Sequence, residues 1–306
     1  MRIISLLAGG TEIVCALGAG DELVGRSHEC DNPAWVRSLP CCTRAAFDTE
    51  MTSRQIDAEV RRRLKAGEPL YHIDAAKIDE LRPDLLIAQS HCEVCAVTPG
   101  DFARSGGERI DCRVLSLQAG SLAGIMADMR SIAEAIGRPD AGQRLVAELT
   151  GRIERVRQAI ADRQRPTVAI IEWTDPIFVT GNWGPELVQA AGGTPILCAA
   201  GEFSRCIAWE TVLQADPEVL VVAPCGFSLP RTLHELQTLE QNPGWFDLRA
   251  VKSRNVFFAD GNLYFNRSGT TIADTAEILA DILHGMRLHD GDAKAIWRRA
   301  QAKKNF

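Results

Sequence analysis

The chain has 306 residues, 46% of them hydrophobic, which favours about two domains with real cores and excludes intrinsic disorder. Its 34 Lys and Arg against 40 Asp and Glu leave a formal charge of −6, without the basic surplus that nucleic-acid partners select. The longest apolar stretches, such as residues 219–223, fall far short of the roughly 20 residues of a membrane helix, so no membrane insertion is expected.

Short β-branched runs alternate with amphipathic stretches along the chain, the pattern of βα units and a mostly parallel sheet, so the fold class reads as α/β. Residues 3–7 predict a first strand; Thr11 is placed to cap a short helix over 12–17, and Gly18 to stop it. Residues 23–27 predict the second strand. Thr52 caps a helix running to Gly67, Asp74 caps another through Leu81, and Pro83 precedes a strand over 85–89; residues 114–117 close this set. From 121 to 165 the pattern is helical, with Ser121 as cap, Gly137 as stop and Pro139 as restart. Leu145, Leu149, Ile153, Val156 and Ile160 then recur at helical spacing. After Pro166 the alternation resumes through 168–171, 186–191, a strand over 195–198, 209–214, 219–223 and 256–259, and a helix over 270–283 ends it. The expectation is two Rossmann-like lobes with parallel sheets joined by one long helix, with a ligand cleft between them. The lobes are 1–121 and 166–289, the connecting helices 122–165, and 290–306 a basic helical tail whose Lys294, Arg298, Arg299, Lys303 and Lys304 form a solvated face.

Ligands of open parallel sheets lie beyond the carboxyl ends of the strands, so the residues after each strand carry the candidate site. In the first lobe these include Thr11, Glu12, His28, Cys30, His91, Cys92 and Cys95. In the second they include Trp173, Asp175, Trp183, Cys225, Phe227, Asp260, Tyr264, Phe265 and Arg267. Five aromatics in polar loops suit a planar ligand. Asp175, Asp260 and Arg267 can hydrogen-bond its polar fringe.

The opening Ser5-Leu6 with 11–18 (Thr-Glu-Ile-Val-Cys-Ala-Leu-Gly), residues 23–25 followed by 28–33 (His-Glu-Cys-Asp-Asn-Pro), and 81–87 carry a resemblance over nearly the whole chain. So do 186–188 with Ala191-Gly192-Gly193, the Trp209-Glu210 segment ending in Asp216-Pro217, and 260–267. The chain resembles the cobalamin-binding branch of the helical-backbone (class III) ABC-transporter substrate-binding proteins. The resemblance implies two rigid lobes holding a corrinoid between aromatic side chains, and binding rather than catalysis. Where that family has Ser-Pro-Ser-Ala, this chain has Leu7-Ala8-Gly9-Gly10. The apolar run before Glu12 is too short for a signal h-region and the ten cysteines are irregularly spaced, which predicts a reducing, cytoplasmic setting. The chain is thus similar to a cytosolic, cysteine-containing subgroup, for which docking to a transporter is not expected.

The cysteines and histidines leave a second reading open. Cys92 and Cys95 have the spacing at which two thiolates grip one metal; His28, Cys30 and Cys225 can complete a zinc site or an iron-sulfur cluster, and His28 or His91 can supply an axial nitrogen to cobalt. On that reading the chain is a metal- or iron-sulfur-cluster-dependent protein or enzyme; the alternative for the same residues is free or redox-active thiols.

Overall fold

The computed structural model describes residues 1–90 and 112–300, which form two compact units. Unit 1 comprises Met1–Ala119, Ala123–Glu148 and Ser268–Thr270; unit 2 comprises Gly120–Leu122, Leu149–Arg267 and the chain from Thr271 onward. His91, Cys92, Cys95, Lys303 and Lys304 lie outside the described residues.

In unit 1 the strands β1 (Ile3–Ser5), β2 (Leu23–Arg26), β5 (Leu85–Gln89) and β6 (Arg113–Leu117) form a four-stranded sheet in the order β2-β1-β5-β6, every pair parallel. β1 and β5 are buried at every position, as uninterrupted apolar runs require when both faces of a parallel strand are covered. Ile4, Leu6, Leu86 and Ala88 meet Ile78 of helix α3 (Ala75–Leu81) in one core cluster. β3 (Thr43–Ala45) and β4 (Tyr71–Ile73) pair separately and antiparallel.

Thr52, Gly67 and Asp74 act as expected. Helix α2 (Ser53–Ala66) opens on a capping box in which Thr52 accepts the Gln55 N–H while the Gln55 side chain accepts the Thr52 N–H. It closes on Gly67 at φ 67°, a left-handed conformation glycine adopts without a Cβ penalty. Asp74 accepts the Lys77 N–H at 3.0 Å and opens α3.

Helix α1 corrects the reading of Thr11 as a cap. It runs over Ala8–Ala16 with Leu7 at its N-cap, and Thr11 lies inside it, fully buried. Two glycines in a first turn argue locally against a helix. At Gly9 the lack of a side chain admits the backbone of Ser268, whose carbonyl oxygen would lie 2.5 Å from a Cβ there, while a Cβ on Gly10 would lie 2.9 Å from Ile87 Cγ2.

Helices α4 (Leu122–Ala135) and α5 (Pro139–Ala159) form the helical stretch read from the sequence. Unit 2 holds a seven-stranded sheet of order β10-β8-β7-β11-β12-β13, with β9 paired to β7. β7 (Thr167–Thr174), β11 (Val219–Val222), β12 (Val256–Ala259) and β9 (Thr194–Pro195) are mutually parallel; β8 (Ile177–Val179), β10 (Arg205–Cys206) and β13 (Trp297–Arg299) bring antiparallel pairings to its edges. Ile171, Leu220, Val222 and Phe258 pack with Trp209 of helix α7 (Trp209–Ala215) and with Trp245. Helix α6 (Gly184–Ala190) precedes β9.

Two expectations for unit 2 are corrected. The strand expected over 195–198 ends at Pro195, because Leu197 turns to φ 77° and its carbonyl is held by the Arg205 guanidinium, with Nε at 3.0 Å. Of the tail expected to be helical, the described residues hold one short helix, Ala293–Ile296, and then β13, which pairs with β12. Trp297 stacks edge-on against Phe257 at 5.5 Å and the Arg299 guanidinium lies 5.0 Å over the same ring. A basic edge strand resists pairing with another chain. That function explains the charge as well as a solvated helix face does.

Among the described residues no helix is long and apolar enough to cross a membrane.

Candidate functional site

In unit 1 the expected contacts after β1 turn inward. Glu12 is 3% exposed; its Oε1 accepts Asn32 Nδ2 at 3.1 Å and its Oε2 accepts the Thr270 hydroxyl at 3.3 Å, so the carboxylate ties the loop after β2 to residues 268–270. The Thr11 hydroxyl donates to Cys30 Sγ at 3.0 Å, and that thiol donates to the Ser5 carbonyl at 3.5 Å. Cys30 is fully buried in this network. Burial behind engaged partners is the usual state of a structural cysteine.

His28, at the exit of β2, has Nδ1 engaged, while Nε2 is buried without a hydrogen-bond partner and only comes near the Glu29 carboxylate. Thr43 Oγ1 accepts the His28 backbone N–H at 3.0 Å and lies 2.8 Å from Nδ1; Nε2 faces Glu29 Oε1 at 3.3 Å. Which of Nδ1 and the hydroxyl donates follows the tautomer of the ring. The Tyr71 ring packs at 5.6 Å. Burial pushes the His28 proton affinity down, Glu29 opposing it, so the imidazole is neutral at pH 7.

The sign of the pH effect follows. A histidine with a lowered folded pKa takes up its proton later than the unfolded chain does, so the folded state loses stability as pH falls through 6.5 toward the lowered value. His72 and His284, both lowered by burial, act in the same direction. Urea midpoints measured between pH 7.5 and pH 5 should therefore fall, with a slope of at most about 1.4 kcal/mol per pH unit from each histidine. His28→Gln should flatten that slope; an unchanged slope would contradict its burial as a neutral ring.

In unit 2 the carboxyl ends of β7, β11 and β12 are bound into one frame. The Phe227 carbonyl, after β11, accepts the N–H groups of Gly261 at 3.0 Å and Asn262 at 3.1 Å, after β12. Asn266 Nδ2 reaches back to the Ala223 carbonyl at 2.8 Å, and the Thr275 hydroxyl donates to the Tyr264 carbonyl at 2.6 Å. Asp260 opens the π-helical turn Gly261–Phe265, its carboxylate accepting backbone N–H groups of Leu263 at 2.8 Å and Leu229 at 3.4 Å. Burial raises the Asp260 pKa and these backbone donors oppose it. Its oxygens are thus committed to the turn.

The same frame sorts the aromatic candidates. Phe227 is 2% exposed, with Trp173 edge-on at 5.1 Å and the Arg231 guanidinium 3.7 Å over its ring. Phe265 and Arg267 are 4% exposed, and Arg267 spends its donors on the carbonyl and side-chain oxygens of Asn262, each at 3.1 Å. These three support the loops from within. Trp173, Asp175, Trp183 and Tyr264 are half-buried and keep surface to offer. Trp183 stands at the N-cap of α6, after the antiparallel strand β8, so the rule for loops after parallel strands does not place it. Sequence reasoning missed Arg231, Asn266 and Thr275, whose roles come from partners brought near by the sheet.

Of the expected metal ligands, His28 and Cys30 are described in unit 1 and Cys225 in unit 2. Cys225 sits half-buried on the unit 2 loop after β11, its N–H given to the Glu172 carbonyl at 3.0 Å, while His28 and Cys30 are engaged as described in unit 1. Among the described residues the one trio of suitable ligand atoms within 4.8 Å is Asp274, Glu277 and His289. It already has a cation. Arg152 places Nη2 at 2.8 Å from Asp274 and 2.6 Å from Glu277, with Nε at 3.0 Å from Glu277, and these acids hold its pKa above the usual arginine value. His289 completes the cluster, with Nε2 3.3 Å from Asp274.

Comparison with known proteins decides the family. The model of the family described as "Periplasmic binding protein" matches residues 3–263. The chain belongs to this family. An uncharacterized ABC transporter substrate-binding lipoprotein of Bacillus subtilis is 22% identical over 295 residues, covering 92% of this chain and 80% of that protein. A vitamin B12-binding protein of Vibrio campbellii is 24% identical over 221 residues, covering 72% of this chain and 69% of the relative. Among solved structures, a periplasmic heme binding protein from Pseudomonas aeruginosa superposes with a TM-score of 0.71 at 21% identity, over 94% of this chain and 93% of that one. The periplasmic vitamin B12 binding protein of Vibrio cholerae gives 0.65 at 22% identity, over 92% and 96%. The periplasmic binding protein fold, mixed α/β with two lobes and a long helix, is the architecture expected from the sequence.

Proposed function

We propose that this member of the periplasmic binding protein family binds a tetrapyrrole-type ligand without transforming it, and that the ligand is a corrinoid. The observation that carries the reading is in unit 2. Half-buried Trp173 and Tyr264 stand with Asp175 on a hydrogen-bonded frame at the carboxyl ends of β7 and β12, giving flat apolar faces and a polar edge to a planar ligand. A corrinoid that carries its own nucleotide base needs no axial nitrogen from the protein. Of the His28 ring, Nδ1 is held by Thr43. The names of the Vibrio campbellii and Vibrio cholerae relatives support a corrinoid, and the heme-binding structure keeps heme as the comparison ligand. Delivery to an ABC transporter belongs to the same proposal, on the name of the Bacillus subtilis relative, so the expectation against transporter docking is not carried forward.

The test is an absorbance-monitored titration of the reduced, anaerobic protein with hydroxocobalamin and, separately, with hemin. Saturation near one equivalent of hydroxocobalamin is expected, with Trp173→Ala and Tyr264→Ala each weakening it by about tenfold while each variant still unfolds cooperatively above the assay temperature. Binding of hemin alone would overturn the corrinoid assignment. Binding of neither, or equal affinity in both variants, would overturn the aromatic site.

A further inference from the structure

We propose that unit 2 carries a second ligand site, sharing no residue with the one above, for a small carboxylate with an apolar body. A cavity of about 310 Å³ lies between helix α11 (Ile272–His284), whose numbering follows three short helices at Leu229–His234, Leu236–Glu240 and Arg249–Lys252, and the segment that leads into β13. That volume is at the lower end of the range of small-molecule pockets. Ile278, Met286, Ile296 and Trp297 give it an apolar lining, and Ile278 and Ile296 are buried, so the floor is built from the core of the unit rather than from a mobile surface.

The polar groups around this floor are unequal. Asp281 is 6% exposed and gives one carboxylate oxygen to the Leu288 N–H at 2.6 Å and the other to the His289 N–H at 3.2 Å. Asp292 accepts the Lys294 N–H at 3.0 Å and opens the short helix Ala293–Ile296. His289 accepts the Gly291 N–H on Nδ1 at 3.0 Å and turns Nε2 to Asp274. The acids and the imidazole are therefore committed to the backbone and to the Arg152 cluster.

The two cations on the lining are not. Arg287 and Lys294 are exposed, and among the described residues neither has a carboxylate within ion-pair distance. A guanidinium and an ammonium at the mouth of an apolar cavity complement an anion attached to a hydrophobic group. The carboxylate gains charge-assisted hydrogen bonds while its aromatic or branched body replaces water over Trp297 and Met286. Both walls come from sequence-adjacent segments, residues 278–297, so the site is complete within unit 2.

The experiment uses the full chain and 3-phenylpropionate as the probe, with 3-phenylpropionamide as its uncharged counterpart, followed by calorimetry and ligand-detected NMR. Saturable binding of one equivalent of the acid is expected, with the amide at least about tenfold weaker. Arg287→Glu and Lys294→Glu should each reduce affinity for the acid by about tenfold. Both residues are exposed, so the unfolding midpoint should hold. Trp173→Ala should bind the acid as the parent does, which separates this site from the corrinoid proposal. No saturable binding at millimolar concentration, equal affinity for acid and amide, parent-like affinity in both charge variants, or loss of binding in Trp173→Ala would each overturn it.

Discussion

Replacing Gly261 by alanine should cost about 3 kcal/mol of stability and lower the midpoint of thermal unfolding by roughly 6–10 °C. Gly261 is buried directly after β12, and a Cβ there would collide with the Pro224 carbonyl oxygen and lie 2.7 Å from the carbonyl carbon and oxygen of Ala223. These atoms belong to the main chain leaving β11 and have no rotamer with which to yield. Relief requires the loops after β11 and β12 to separate, which breaks the bonds from Gly261 and Asn262 to the Phe227 carbonyl and tilts the turn that carries Tyr264. Corrinoid affinity should therefore fall together with stability. Gly67→Ala is the contrast: nothing lies within 4 Å of a Cβ there, and the cost, about 1 kcal/mol, comes only from a side chain at positive φ. Equal midpoints for the two variants would contradict the argument.

The second large effect is expected at Arg152. Arg152→Met should destabilise the protein by about 2 kcal/mol, read from urea midpoints at pH 7. The variant leaves Asp274 and Glu277 facing each other without their cation, at side-chain exposures of only 24% and 13%. Partial exposure keeps the cost below that of a fully buried pair. Adding Glu277→Gln to Arg152→Met should recover part of the loss, because the uncompensated charge is then halved. A double-mutant cycle measures this coupling, and additive losses would show that the cluster contributes through packing alone.

Local signals made much of the fold legible. The caps Thr52 and Asp74, the stop at Gly67, and the strands Leu85–Gln89 and Val256–Ala259 stand where short-range reasoning places them. Each depends on side chains within a few residues of one another, or on an apolar run that must be covered on both faces. The order of these elements was enough to identify the α/β class, while the family resemblance rested on particular segments such as residues 11–18 and 28–33.

The sequence by itself thus determined the element types, most caps and the α/β class, because those depend on neighbours along the chain. Only the tertiary structure decided that Thr11 lies inside a helix with its hydroxyl on Cys30, that Glu12 binds Asn32 and Thr270, and that Asp260 serves the turn it opens. It also decided that Phe227 is enclosed by Trp173 and Arg231, that residues 297–299 form an edge strand, and that Arg152 meets Asp274 across 122 residues of chain. Whether a polar or aromatic group is free for a ligand depends on what occupies its hydrogen bonds and faces. Those partners come from remote segments that pairing and packing bring together, and no local period or cap encodes them.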